Sequence, residues 1–150
     1  MPDLRELYQQ VILDHHKKPR NRRHPEDANK HADGFNPLCG DKVSVFLRME
    51  NGVIRDIAFE GSGCAISTAS ASMMTESLKG KSEAEAAGLF ERFHDLVMGK
   101  TPADSDISGL GKLAVFAGVR EYPVRVKCAT LAWHTMRAAM EERKETVATE

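Results

Sequence analysis

The chain has 150 residues, 41% hydrophobic and 29% charged, enough for a real core without covalent staples. Lys and Arg number 21 against 22 Asp and Glu, a net charge of −1 that gives no general argument for nucleic-acid binding. No apolar run approaches the roughly 18 residues of a membrane span, and Met1-Pro-Asp-Leu-Arg-Glu lacks a signal-peptide pattern.

A cytoplasmic protein with no membrane or nucleic-acid partner is therefore expected. Its 3 cysteines cannot all pair internally. In a reducing compartment such separated thiols read as metal-binding or reactive.

Residues 3–17 predict an amphipathic helix, with Leu4, Leu7, Tyr8, Val11 and Ile12 as its stripe, Asp3 as cap and Pro19 as stop. The basic run Lys17-Lys-Pro-Arg-Asn-Arg-Arg23 reads either as a solvated helix end and loop or as a docking patch for an acidic partner. Residues 20–35 predict a loop, with a short strand near 31–36.

Residues 42–49 alternate, with Val43, Val45, Leu47 and Met49 on one face and Lys42, Ser44 and Arg48 on the other. Asn51-Gly52 signals a tight hairpin into a second strand, 53–60, with Val53, Ile57 and Phe59 on one face. Cys39 and Asp41 precede the first strand and Cys64 follows the second. An antiparallel hairpin brings those ends together.

After Cys64, small residues with Ile66, Ala69 and Met73 predict a helix packed closely on the sheet. Its serines lower helix propensity, so packing must offset them. Ser82-Glu-Ala-Glu85 is a capping box opening a helix to about Met98, with Ala86, Leu89, Phe90, Phe93 and Val97 as stripe. Residues 99–111 predict a loop and 112–119 a short helical piece. Pro123 starts the last helix, with Val124, Cys128, Leu131, Ala132, Thr135 and Met136 on related faces. Trp133 and the methionines read as core or edge packing. The charged tail after Glu141 is expected to fray. One domain, 1–150, is expected, with 142–150 as tail.

Cys39-Gly-Asp41 places a soft and a hard ligand two residues apart across a turn, which alone is weak evidence. The hairpin strengthens it by delivering Cys64, whose position before a helix favours the thiolate. Cys128 follows Arg125 by three residues, on one helix face, where a guanidinium would lower the thiol pKa; read alone, it is also a small apolar filler. Three thiolates and a carboxylate suit zinc better than magnesium or calcium. The same thiols could instead carry sulfur or hold an iron–sulfur cluster. None of the 6 histidines stands at a ligand-like spacing from a cysteine. They are expected mostly exposed, with His15 and His16 the ones to check.

Several segments together resemble the IscU/NifU-like iron–sulfur assembly proteins, and more closely their SufU branch. They are Leu7-Tyr-Gln-Gln-Val-Ile12, Asp14-His15, Pro19-Arg-Asn21, Asn36-Pro37, Cys39-Gly-Asp41, Gly61-Ser-Gly-Cys64, Ile66-Ser67, Ala69-Ser-Ala-Ser-Met-Met74 and Arg125-Val-Lys-Cys-Ala-Thr-Leu-Ala-Trp133. The resemblance implies an α+β fold, a small antiparallel sheet of about three strands covered by helices. It implies Cys39, Asp41, Cys64 and Cys128 as zinc ligands; Arg125 and Lys127, just ahead of Cys128, are expected beside them. It further implies a sulfurtransferase without stand-alone turnover. Cys39 accepts persulfide sulfur from a PLP-dependent, SufS-type cysteine desulfurase, one of whose histidines replaces Cys39 on the metal. The sulfur then passes to a downstream scaffold complex. The alternative is an IscU-like scaffold holding iron or a transient cluster. Lys127 stands where IscU-type chains have histidine, and the stretch within about 99–122 is longer than theirs. Both features favour the SufU branch.

Overall fold

The computed structural model describes residues 4–37, 40–99, 113–117, 119, 122–142 and 147–148. Helix α1 (Leu4–Lys17) leads by a loop to strand β1 (Lys30–Asn36), then β2 (Asp41–Glu50) and β3 (Val53–Ser62). Helices α2 (Ala65–Leu78), α3 (Glu83–Val97) and α4 (Pro123–Met140) follow, and β4 (Val147–Ala148) closes the order. The sheet runs β3-β2-β1-β4, antiparallel except that β4 lies parallel to β1. The α+β class and the three antiparallel strands agree with expectation. The paired Val147–Ala148 adds an edge where only a frayed tail was expected. The loop expected over 99–111 lies almost wholly outside the described residues; residues 113–117 form one short helical piece.

The β2–β3 hairpin turns at Asn51-Gly52, both with positive φ (54° and 75°), the conformation a tight hairpin needs. Its register breaks between Arg48 and Met49. Arg48 faces Asp56 but Met49 faces Ile54, so Arg55 is the extra residue of a β-bulge. That shift corrects the expected face: Ile54 is fully buried with Ile57 and Phe59, while Val53 is only half-buried. On the other face of β2, Phe46 is covered by His24 (ring centroids 4.2 Å apart) and His31 (6.0 Å).

The core lies between the sheet and helices α2 and α4. Gly34 of β1 lets α4 approach, since a Cβ there would collide with the Thr135 hydroxyl. Trp133 stacks on Phe93 of α3 with centroids 4.6 Å apart. The serines of α2 turn inward. Ser70 Oγ donates to Ala129 O at 2.5 Å and accepts the Trp133 indole N–H at 3.2 Å. Their low helix propensity is offset by bonds between helices. The capping box forms as expected, with Glu85 N to Ser82 Oγ and Ser82 N to Glu85 Oε1 both 3.1 Å.

One further expectation fails, and one of the two histidines singled out for checking is buried. Val124 is 48% exposed, because it sits in the first turn of α4, outside the packed stretch that begins at Cys128. His15 is buried at 1% exposure, its Nδ1 2.7 Å from Ser72 Oγ, tying α1 to α2. Among the described residues no helix is long and apolar enough to cross a membrane.

Candidate metal centre

Three elements converge at one end of the sheet. Asp41 opens β2 opposite Asn36, the last residue of β1, and Lys42 pairs with Ser62 at the end of β3. Cys64 then caps α2 with extended backbone, its sulfur accepting the Ser67 N–H at 3.4 Å. Cys128, fully buried, comes from α4. One Asp41 carboxylate oxygen and the Cys64 and Cys128 sulfurs all lie within 4.8 Å of one another. Residues 38–39, and with them the expected ligand Cys39, lie outside the described residues. Its neighbour Gly40 takes φ +71° and donates its N–H to Asn36 O at 2.8 Å, closing the β1–β2 turn.

The two carboxylate oxygens of Asp41 are treated differently. Oδ1 accepts the Cys64 N–H at 2.9 Å. Oδ2 faces the Cys64 sulfur at 4.0 Å and the Asn36 amide at 3.5 Å. Gly63 is required here, since a Cβ would lie 2.7 Å from Asp41 Oδ1. Asn36, itself fully buried, also donates to the Cys128 sulfur at 3.6 Å. No role for Asn36 was read from the sequence. Its place three residues ahead of Cys39-Gly-Asp41 was the one signal the sequence offered.

Hydrogen bonding favours the thiolate of Cys64. Hydrogen bonding with Cys128 brings the Cys64 thiol down to about 6; burial opposes this, the Ser67 N–H assists, the Asp41 charge opposes, and the Ile66 N–H assists. A fully buried carboxylate beside two thiols suits a cation held between them. The donor set fits zinc. A tetrahedral zinc with Zn–S of about 2.3 Å holds its ligand atoms roughly 3.5–4 Å apart, which this group can meet. Three donors leave one further position. Arg125 is exposed and Lys127 half-buried, in the first turns of α4 ahead of Cys128.

Fold and donor set together define a class of small α+β protein that gathers thiols and a carboxylate at one end of a sheet built on three antiparallel strands. The family described as NifU-like N terminal domain matches residues 7–129, and the chain belongs to it, within the iron–sulfur cluster assembly scaffold and SufU group. The zinc-dependent sulfurtransferase SufU of Bacillus subtilis is 42% identical over 87% of this chain and 86% of its own. The iron–sulfur cluster assembly scaffold protein IscU of Streptococcus pyogenes is also 42% identical, over 91% of this chain and 84% of its own. A solved structure assigned to iron–sulfur cluster assembly for the SUF system of Fervidobacterium islandicum AW-1 superposes with a TM-score of 0.82 at 36% identity, covering 90% of this chain and 97% of that one.

Proposed function

We propose that the protein is a zinc-dependent sulfur carrier of iron–sulfur cluster biogenesis. The observation that carries this reading is the convergence of Asp41, Cys64 and Cys128 within 4.8 Å, with a third cysteine, Cys39, two residues before Asp41 in the chain. Asp41, Cys64, Cys128 and Cys39 would hold the ion, with Arg125 and Lys127 placed beside the site. Zinc, when bound, keeps its thiolate ligands deprotonated and guards them against oxidation.

The rest is the work of the chain. The Cys64 N–H orients Asp41, and Gly63 leaves room for it. Cys39 is the nucleophile. Its thiolate attacks the outer sulfur of a persulfide on the donor protein. A new S–S bond forms on Cys39, the donor's S–S bond breaks, and the donor cysteine leaves as thiolate, with no net oxidation. The donor is a PLP-dependent, SufS-type cysteine desulfurase in the cytoplasm, and the sulfur passes to a downstream scaffold complex. Lys127, in place of the histidine of IscU-type chains, supports this branch.

The test is a desulfurase assay with wild type and Cys39→Ala, with zinc measured on the same samples. The variant is expected to fold but to give no stimulation; unimpaired stimulation would overturn the carrier role. A second reading is favoured by the equal identity to the S. pyogenes scaffold. In it the three cysteines hold a transient cluster. Anaerobic purification yielding cysteine-bound iron that transfers to an apo-protein would support it.

A further inference from the structure

The basic segment after α1 divides into neutralised and uncompensated charges. Arg20 Nη2 meets Asp14 Oδ2 at 2.7 Å and Arg23 Nη2 meets Asp56 Oδ1 at 2.5 Å. Arg22 behaves differently. Its Nη2 donates to the Gly61 carbonyl at 2.7 Å, which leaves the positive charge unbalanced. Residues 21–23 run along the outer edge of β3: Phe59 N donates to Asn21 O and Arg23 N to Phe59 O, both at 3.0 Å, with a parallel bridge between Arg22 and Phe59. The segment therefore reaches the strand end from which Cys64 follows.

Lys17 and Lys18 are exposed, and neither forms a salt bridge among the described residues, although the Lys18 charge helps lower the Asp14 carboxyl. The nearby carboxylates are engaged or few. Asp14 is taken by Arg20, Glu76 lies 3.5 Å from His15, and Glu60 is exposed beside Gly61. The result is a cationic strip on a chain of net charge −1, ending beside the loop that carries Cys64.

We propose that Lys17, Lys18 and Arg22 form a docking strip for an acidic surface on the protein that supplies the sulfur, an inference that rests on the sulfur-carrier reading. The strip's continuity with the Cys64 loop, through Arg22 and Gly61, seats a partner over the thiols rather than elsewhere. Three charges are few for a nucleic acid, whose binding rests on many phosphate contacts. They suffice for steering an acidic protein surface, an effect that acts within a Debye length of about 8 Å at physiological salt.

The test is stimulation of a SufS-type desulfurase by wild type and by the double variant Lys17→Glu/Lys18→Glu. Arg22 is left intact because it also holds Gly61. At about 0.05 M salt the half-saturating concentration is expected to rise about tenfold in the variant with the maximal rate unchanged, and the difference to vanish near 0.5 M. Equal half-saturation at low salt overturns the docking strip alone. So does a fall in maximal rate without a change in half-saturation, or a loss of duplex DNA binding with stimulation intact. A wild type that stimulates no desulfurase overturns the sulfur-carrier reading and the strip with it.

Discussion

Asn36 shows how much one side chain can hold together. Its amide reaches both Asp41 Oδ2 and the Cys128 sulfur, so it links two of the three clustered donors. Groups that orient metal ligands typically carry 10- to 100-fold in affinity. We predict that Asn36→Ala weakens zinc binding by about tenfold or more, read by competition with a chromophoric chelator. Gly63→Ala acts by displacement instead, forcing Asp41 to move. It should weaken zinc binding as well, while leaving the helical circular dichroism signal intact. Asp41 and Cys64 stood out in the sequence because a carboxylate and a thiol in glycine turns are chemically conspicuous. Asn36 did not, since its role depends on β1 pairing with β2 and on α4 lying above both. His15 was singled out for its place at the end of the first helix, but nothing there reveals that its partner is Ser72, 57 positions away.

Helix α2 illustrates what a segment reveals and conceals. Its small residues announced close packing, but not that Ser70 would serve both Ala129 O and the Trp133 indole. Ser70→Ala strands a buried indole N–H and should cost about 1–3 kcal/mol, measured by denaturant unfolding. Between α3 and α4, His134 lies edge-on to Phe90 at 5.2 Å and to His94 at 5.8 Å. Burial first, then the positive charges of His94 and Arg137, hold His134 below its ordinary value. The folded state therefore binds fewer protons than the unfolded one. Stability from this site is complete above about pH 6.5 and declines as pH falls toward the lowered folded value. Melts at neutral and mildly acid pH should show a smaller acid loss in His134→Gln than in wild type. The bulge at Arg55 belongs to this scale too. Strict alternation put Val53 inward, and one extra residue handed that place to Ile54. Such a bulge is fixed by pairing across strands, which no single strand's pattern records.

For the molecule as a whole, the sheet, the start of α2 and α4 meet at a polar point at one end of the core. An ion held there by residues from β2, the β3–α2 junction and α4 ties distant parts of the chain together. A ligand that binds only the folded state stabilises it in proportion to its affinity. Zinc removal by a chelator should lower the melting temperature substantially; an unchanged melt after confirmed removal would contradict this. The hairpin, the helices and their order were legible because periodicity and turn residues are local. The short β4 was not, because two residues in a charged tail carry no periodic signal.

The central claim is that sulfur rests on Cys39. Incubation with a cysteine desulfurase and cysteine, followed by alkylation and peptide mass spectrometry, locates it directly. One additional sulfur on the peptide containing Cys39, and none on those containing Cys64 or Cys128, is predicted. Sulfur confined to Cys64 or Cys128, or no added sulfur while the desulfurase turns over, would contradict the account.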